Sequence, residues 1–382
     1  MVHDFDSPMD RVDVVVIGAG AVGLAIASEI ADGKRDIFVL EKESKYGQGT
    51  SSRSSEVIHA GIYYPSGSLK GQLCVKGNEM LYEICREGGV AHKPVGKLIV
   101  ATKDDEVKGI ENLYKQGCAC SARDLEMIDE DEIRKLEPNV KAVAAVLSPS
   151  TGIIDSHGLM DFFYRKARKR SGVDPLILDT EVVGLKKVSG GYVVDTISGG
   201  EKFSIEAGIV INSAGLFADR VASMVGIDVD RERYRQHWCK GDYFSLTGKP
   251  LAKMLVYPEP PKDGSSLGIH ATPDLTGRLK FGPNAYYVKE INYNVESNLD
   301  EFFNDVRKYL PMIGREDLHP DMSGIRAKLQ GQGEGFRDYV IRHEEDKGFP
   351  RLINLIGIES PGLTCAPAIA EMVKGMVDEI LN

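Results

Sequence analysis

The clearest pattern of apolar and polar positions lies near the start of the chain, in residues 12–41. Residues 14–17 are an unbroken β-branched run, which predicts a strand buried on both faces. A glycine-rich turn ends this run, and residues 24–30 continue with helical spacing. Residues 37–40 form a second apolar run that ends at Glu41. The pattern predicts a strand–helix–strand unit with its first turn after residue 17.

The first turn has the spacing G-x-G-x-x-G, formed by Gly18, Gly20 and Gly23. In such a turn the first glycine permits the bend, the second lets backbone N–H groups approach a pyrophosphate, and the third lets helix and strand pack closely. Glu41 follows the second strand, where an acid hydrogen-bonds an adenosine ribose and repels the 2′-phosphate of NADP. The motif predicts a dinucleotide site at the helix N-terminus, and the alternative is a turn required only for packing.

The segment after the second strand indicates which dinucleotide binds. A nicotinamide-binding domain continues with further strand–helix pairs, whereas residues 47–55 are a polar loop rich in hydroxyl groups with one arginine, Arg53. Two more glycine-containing turns come after apolar runs, at residues 209–215 and 355–362. Three separated turns favour a long, extended ligand, and we therefore expect FAD as the cofactor.

The segments between these turns have a different character. Residues 97–102 have the pattern of a strand, residues 104–116 and 129–137 that of helices with acidic surfaces, and residues 243–281 that of short strands with Pro and Gly turns. We therefore expect a sheet-rich second domain inserted into the first. The expected cofactor domain comprises residues 1–90, 151–220 and 321–382, and the expected substrate or capping domain comprises residues 91–150 and 221–320.

Length and charge narrow the classes of function. The chain has 382 residues, more than the ~250 at which one hydrophobic core stops growing, so at least two packed units are expected. Its 57 acidic and 47 basic residues give a net charge of -10, and no block of Lys and Arg occurs. This balance argues against nucleic-acid binding.

Signals for membrane insertion, secretion and metal binding are weak. The longest apolar stretch, residues 12–30, contains Asp13 and Glu29, and the residues before it are acidic rather than basic. Residues 366–381 have helical spacing with a polar face that is not basic, so we expect this helix to pack on the sheet. The six cysteines lack metal-ligand or C-x-x-C spacing. We expect reduced, mostly buried thiols, no metal, and a cytoplasmic protein that is at most peripheral to a membrane.

Several stretches carry a family resemblance. They include residues 16–23 (VIGAGAVG), 54–64 (SSEVIHAGIYY), 96–100 (GKLIV), 324–326 (GIR) and 357–364 (GIESPGLT). Together they resemble the L-2-hydroxyglutarate dehydrogenase/oxidase group of the D-amino-acid-oxidase-like FAD superfamily. The resemblance implies an α/β fold with an FAD-binding, Rossmann-like domain of the glutathione-reductase type and an inserted antiparallel-sheet substrate domain.

The turns and the resemblance together predict which residues contact FAD. They are Gly18, Gly20, Ala21, Val22, Gly23, Glu41, Lys42, Thr50, Ser51, Ser52, Arg53, Ser54, His59, Ala60, Gly61, Val182, Ser213, Ala214, Gly215, Gly324, Ile325, Ser360, Pro361, Gly362, Leu363 and Thr364.

The resemblance also implies oxidation of an alcohol or amine carbon next to a carboxylate, and most specifically of L-2-hydroxyglutarate to 2-oxoglutarate, with hydride transfer to flavin N5. The candidates for binding the carboxylate are Arg326, Lys280 and His270. Arg278 and Lys280 alternate along one predicted strand and so share a face, for which a solvated surface is the alternative. Two separated cations suit a small anionic dicarboxylate such as 2-hydroxyglutarate.

His59 is the candidate proton acceptor for the substrate hydroxyl. Because the ordinary histidine pKa is about 6.5, a neutral imidazole can accept a proton at neutral pH, and we expect activity to fall as the pH drops through the pKa of this histidine. A histidine buried in the core for structural reasons is the alternative.

Other functions use the same cofactor turns. Amine or amino-acid oxidases and glycerol-3-phosphate dehydrogenases of the superfamily differ from a 2-hydroxyacid enzyme in the polar groups around the reaction centre. A scaffold that binds partners without flavin is an alternative from another class. The sequence is compatible with oxygen, a quinone or a carrier protein as electron acceptor.

Overall fold

The computed structural model describes residues 10–260 and 268–382, within which the chain forms two large sheets, one small sheet and eight α-helices. The strands are β1 (Asp10–Ile17), β2 (Ile37–Leu40), β3 (Val57–Ile58), β4 (His92–Lys93), β5 (Lys97–Ala101), β6 (Glu126–Asp129), β7 (Ala144–Ser148), β8 (Gly152–Ile154), β9 (Leu176–Ile177), β10 (Thr180–Val188), β11 (Gly191–Ser198), β12 (Glu201–Asn212), β13 (His237–Leu246), β14 (Leu255–Pro258), β15 (Ala271–Pro273), β16 (Leu279–Phe281), β17 (Tyr286–Tyr287), β18 (Leu318–Lys328), β19 (Val340–His343) and β20 (Leu352–Ile356). The helices are α1 (Ala21–Ile30), α2 (Leu69–Gly88), α3 (Asp104–Ala119), α4 (Glu130–Leu136), α5 (Ser156–Ser171), α6 (Ala218–Met224), α7 (Leu299–Val306) and α8 (Gly362–Leu381).

The first large sheet contains the predicted strand–helix–strand unit. Its order is β10-β11-β12-β1-β2-β9, with β20 paired to β12 and β19 paired to β20. β1 is parallel to β2 and to β12, and β12 is parallel to β20. The turns after β1, β12 and β20 are the three predicted glycine turns, so they meet at one edge because the carboxyl ends of parallel strands lie together.

Both faces of this sheet are covered, as the continuous apolar runs predict. Val14 and Val16 pack in one core with residues of α1, α2, α5 and α8. Val15 and Ile17 point the other way, into a second core with residues of α6 and of β10 to β12. The alternation follows from the two-residue period of a strand.

The second large sheet has nine strands and lies outside the parallel unit. Its order is β17-β13-β16-β15-β14-β5-β7-β6, and β18 pairs with β13 over most of its length. The pairs are antiparallel except for β5 with β14, which run parallel. The small sheet has the order β3-β8-β4.

Most of the elements predicted from the sequence are confirmed, with two differences and one segment that is not tested. The predicted antiparallel sheet contains the parallel β5–β14 pair, which arises because the two strands are far apart in the chain and no hairpin fixes their direction. Helix α8 begins at Gly362, directly from the glycine turn, rather than at residue 366. Part of the predicted strand region, residues 261–267, lies outside the described residues.

The predicted domain boundaries stay a prediction. Strand β18, Leu318–Lys328, crosses the boundary expected at residue 321 and belongs entirely to the second large sheet.

Candidate active site

One large cavity, of about 950 Å³, lies where the two large sheets meet. Its walls run from the glycine turn after β1 to strand β18 and include residues of β14. A volume near the top of the range of ligand pockets, about 300–1,000 Å³, suits an extended cofactor together with a small substrate.

The glycine turn forms one end of this cavity. Gly18 has a φ of +98°, a conformation that favours glycine. A Cβ atom on Gly23 would lie 2.0 Å from the carbonyl oxygen of Gly18, so only glycine allows α1 to begin this close to β1. The N–H of Ala19 donates to Glu41 Oε2 at 2.9 Å, and the N–H of Ala21 donates to Ser51 Oγ at 3.0 Å. The turn, the acid after β2 and the polar loop therefore form one unit at the N-terminus of α1.

The polar loop joins this end of the cavity to strand β18. Thr50 Oγ1 donates to the carbonyl oxygen of Ile325 at 3.1 Å. A Cβ atom on Gly324 would lie 2.1 Å from the carbonyl oxygen of Arg53, so the Gly-Ile-Arg stretch needs its glycine for this close approach. The Arg53 guanidinium lies 3.9 Å from the ring centroid of Tyr293.

Arg53 also bears on whether FAD fits this cavity. Its Nε atom is buried and has no hydrogen-bond partner among the described residues. A buried cationic donor without an acceptor is costly, and an anionic or polar ligand in the cavity would satisfy it. Together with the glycine turn and Glu41, this donor fits a nucleotide with a pyrophosphate.

His59 lies in a backbone position fixed by three contacts. Its N–H donates to Thr364 Oγ1 at 3.0 Å, and its carbonyl oxygen accepts from Asn78 Nδ2 at 2.9 Å and from Cys74 Sγ at 3.5 Å. Gly61, with a φ of +91°, turns the chain immediately afterwards. The imidazole itself faces the cavity, so the backbone contacts orient it without using its ring nitrogens.

The imidazole is neutral over the usual pH range. Burial, and then the charge of Lys97, lower the pKa of His59 to about 3. Its Nε2 atom lies 3.5 Å from Ser360 Oγ, in the turn after β20. The acidic limb of activity predicted for His59 is therefore expected well below the ordinary histidine pKa, because desolvation of the imidazolium moves its titration to lower pH.

An aromatic layer continues from His59 along the cavity wall. The rings of Tyr257 and His270 are stacked, with centroids 3.5 Å apart, and Tyr63 lies beyond Tyr257 at 6.4 Å. Burial raises the pKa of the Tyr63 phenol well above its usual value. All three rings contact the cavity, whereas Lys97 lies behind them.

Cationic side chains at the end of β18 also line the cavity. Arg326, Lys328 and Gln330 share one face because they alternate along the chain with the buried residues Ile325, Ala327 and Leu329, and all three line the cavity. Arg326 donates to the carbonyl oxygen of Asn284 at 3.4 Å and contacts Cys239 Sγ at 3.8 Å.

A buried ion pair lies beside these cations. Lys70 Nζ is 2.8 Å from Glu359 Oε1, and the two side chains are 4% and 7% exposed. Burial alone would raise the pKa of Glu359, but the Lys70 ammonium, with Lys328 and Arg326 nearby, lowers it. The pair therefore places a carboxylate in the wall and compensates its charge.

Lys280 does not line this cavity. It lines a separate space of about 10 Å³ with Glu56, Thr272 and Asp274. Ser55 and Glu56 contact both spaces and so lie between Lys280 and the large cavity. Arg278 is half exposed and pairs with Asp274 and Asp321, as the alternative of a solvated strand face predicts.

The other predicted residues divide into two groups. Ser52, Ala60, Gly61 and Thr364 do not line the large cavity, although Thr364 and Gly61 support His59 from behind. The predicted residues that line it are Gly18, Gly20, Ala21, Val22, Gly23, Glu41, Lys42, Thr50, Ser51, Arg53, Ser54, His59, Val182, Ser213, Ala214, Gly215, His270, Gly324, Ile325, Arg326, Ser360, Pro361, Gly362 and Leu363.

Sequence reasoning missed Lys70, Lys97, Tyr257, Lys328 and Glu359. Lys328 had a usable signal, because it stands two residues after Arg326 on a strand and must share its face. The other four depend on contacts between segments far apart in the chain, for which one sequence gives no signal.

The glycine turn on a parallel sheet, the acid after β2 and a cavity closed by a second sheet fit an enzyme that binds a dinucleotide such as FAD. The chain matches the family model of FAD-dependent oxidoreductases, DAO, over residues 13–376, and it belongs to that family. FAD is accordingly its cofactor.

Individual relatives extend over nearly the whole chain. It is 39% identical to the mitochondrial L-2-hydroxyglutarate dehydrogenase of Arabidopsis thaliana, covering 95% of this chain and 83% of that protein. It is 33% identical to the glycerol 3-phosphate dehydrogenase of Caloramator mitchellensis, over 96% of this chain and 74% of that protein. Among solved structures, the L-alpha-glycerophosphate oxidase of Mycoplasma pneumoniae with FAD bound has a TM-score of 0.86 and 26% identity, covering 97% of this chain and 95% of that one.

In the described residues, the helices are either too short or too polar to cross a lipid bilayer.

Proposed function

We propose that this protein oxidises a 2-hydroxy acid with FAD, and specifically L-2-hydroxyglutarate to 2-oxoglutarate. The observation that carries the proposal is a single cavity with cationic side chains on one wall and a neutral histidine as a candidate base. The name of the Arabidopsis relative supports the choice of substrate.

The cationic wall would bind the two carboxylates. Arg326 is surrounded by protein and presents its guanidinium to the cavity, where a bidentate pair with the carboxylate next to the reacting carbon is favourable. Lys328 shares that face of β18 and would bind the distal carboxylate, the part first expected of Lys280. In this proposal both carboxylate-binding cations lie on β18, whereas the sequence predicted one cation on each of two strands.

His59 would hold the proton of the substrate hydroxyl at Nε2, while its backbone contacts keep the ring in place. When bound, FAD supplies the two-electron acceptor that takes the hydride from the adjacent carbon. Tyr63, Tyr257 and His270 form an aromatic wall of the same cavity, which would limit the access of water to the reaction centre.

The glycine turn and Glu41 would bind the nucleotide part of FAD at one end of the cavity. Arg53 would pair there with an anionic or polar group of the nucleotide. The predicted FAD contacts that line the cavity are proposed to contact the cofactor. Ser52, Ala60, Gly61 and Thr364 are proposed instead to shape the loops that carry those contacts.

A second candidate is oxidation of glycerol 3-phosphate. The same cations would bind a phosphate, and the Caloramator relative carries that activity in its name. A screen under anaerobic conditions separates the candidates: the purified yellow protein is mixed with L- and D-2-hydroxyglutarate, lactate, glycerol 3-phosphate and amino acids, and bleaching of the flavin band is followed. Bleaching by L-2-hydroxyglutarate alone supports the proposal, and bleaching only by glycerol 3-phosphate replaces it.

The proposed location is the cytoplasm, with at most peripheral membrane contact. All six cysteines are free and four are buried, as expected for a protein kept in a reducing compartment.

A further inference from the structure

Lys97 is a buried lysine directly behind the wall of the active-site cavity. It begins β5, between β14 and β7, and only 1% of the residue is exposed. Its Nζ atom lies 4.7 Å from the ring centroid of Tyr63 and 4.7 Å from that of Tyr257. Both rings line the cavity, so the amino group lies one aromatic layer away from a bound substrate.

This amino group lacks the partner that a buried lysine usually has. Within residues 10–260 and 268–382, no carboxylate forms an ion pair with Lys97. Two tyrosine faces attract a cation, but this attraction is weaker than the cost of burying an unpaired charge. Burial therefore lowers the pKa of Lys97 to about 7, although the nearby Cys74 acts in the opposite direction.

The titratable groups around Lys97 come from three elements, while β7 places Ser148 opposite it in the sheet. The loop after β3 supplies Tyr63 and, four residues earlier, His59, whose pKa is lowered by burial and then by the charge of Lys97. Helix α2 supplies Cys74, and β14 supplies Tyr257, on which His270 stacks. Of these groups, His59 is the one to which the proposed function assigns the hydroxyl proton of the substrate.

We propose that Lys97 is a positioning residue that acts through His59: the charge on its ammonium group controls how readily the imidazole accepts the hydroxyl proton of the substrate. This inference rests on the proposed function of His59. It adds a regulatory group that does not touch the substrate.

The direction of the effect follows from charge. When the substrate O–H bond breaks, its proton moves to His59 Nε2 and an imidazolium forms. A protonated Lys97 repels that imidazolium and opposes the step, whereas a neutral Lys97 does not. The rate of substrate oxidation therefore rises as the pH rises through the pKa of Lys97.

The first test is the pH profile of flavin reduction at saturating L-2-hydroxyglutarate, measured by anaerobic rapid mixing. For one titration near neutrality, the wild-type rate should rise about tenfold between about pH 6 and about pH 8. Lys97→Met removes the charge, so its rate should change less than about twofold and stay near the wild-type alkaline value. Lys97→Arg keeps the charge, so its rate should stay near the wild-type acidic value. A wild-type profile without this rise, or the same rise in Lys97→Met, overturns the proposal.

The second test needs no turnover and separates this proposal from the proposed function. The imidazole ¹⁵N signals of the FAD-bound protein are followed with pH, and the His59 signals are assigned by their loss in His59→Gln. In the wild type they should shift with a midpoint near the pKa of Lys97, and this shift should be absent in Lys97→Met. If L-2-hydroxyglutarate is not a substrate but the shift is present, the Lys97–His59 coupling stands and the substrate assignment fails.

The wild-type measurement keeps the proposal testable if the variants bind FAD poorly. His59 signals that do not shift across neutral pH in the wild type overturn the coupling directly.

Discussion

Lys70 and Glu359 form a buried ion pair across the cavity wall, with Nζ and Oε1 2.8 Å apart, although the residues are 289 positions apart in the chain. The pair joins α2 to the turn after β20. The pair therefore holds two cavity-lining segments together, and Lys70 helps to keep the pKa of Glu359 below its ordinary value.

Replacing only one partner should be strongly destabilising. Lys70→Met leaves the Glu359 carboxylate buried without its nearest cation, and a loss of about 3–5 kcal/mol in the free energy of unfolding is expected. The double variant Lys70→Met with Glu359→Gln should recover most of that loss, because no uncompensated charge is left. Urea unfolding at a fixed FAD concentration measures both.

The same pair predicts a pH dependence of stability. The folded-state pKa of Glu359 lies below its ordinary value of 4.5, so the unfolded chain binds the proton first as the pH falls. The stabilisation is present above that value and is lost as the pH falls through the folded-state pKa. Glu359→Gln should therefore show a weaker loss of stability in acid than the wild type, and equal losses would contradict the ion-pair assignment.

A side chain at Gly20 should block the end of the cavity where the cofactor is proposed to bind. A Cβ atom on Gly20 would lie 3.0 Å from Ser51 Oγ, which already accepts the N–H of Ala21. Gly20→Val should therefore lose most of its bound FAD, measured as flavin absorbance per protein after purification. Gly375→Val in α8 is the matched control, because a Cβ atom there meets nothing within 4 Å. Full FAD content in Gly20→Val would show that the pyrophosphate lies elsewhere.

The sequence predicted those parts of the site whose residues lie close together in one segment of the chain. The three glycine turns, Glu41 and the region of His59 follow from motifs and strand period. Lys280 lies outside the large cavity, because strand alternation predicts the face of a residue but not how far along the sheet the cavity reaches. The contacts of Lys97 and of the Lys70–Glu359 pair could not be predicted, since they arise from packing between distant segments.

Arg326 and Lys328 should differ in their effect on two substrates. Arg326→Met should lower kcat/KM for both L-2-hydroxyglutarate and L-2-hydroxybutyrate by about 10–100-fold, because both carry the carboxylate next to the reacting carbon. Lys328→Met should lower kcat/KM only for L-2-hydroxyglutarate, which alone has the distal carboxylate. Lys280→Met, outside the cavity, is the control and should leave both values unchanged. Equal losses for both substrates in Lys328→Met would remove it from the distal carboxylate.

His59 provides the test of the proposed chemistry. His59→Gln keeps a side chain that can hydrogen-bond but cannot take up a proton, so flavin reduction should slow by about 10²–10⁴-fold while FAD stays bound.

Because the folded-state pKa of His59 is about 3 and the ordinary value is 6.5, only the unfolded chain takes up this proton between those two pH values. His59 therefore makes the fold less stable as the pH falls from 6.5 to 3. His59→Gln should therefore lose less stability over this range than the wild type. The wild type should also have no activity limb at the ordinary histidine pKa from His59 itself. If His59→Gln is reduced at the wild-type rate, the proton acceptor is another residue, and His270, stacked on Tyr257 in the same wall, is the next to replace.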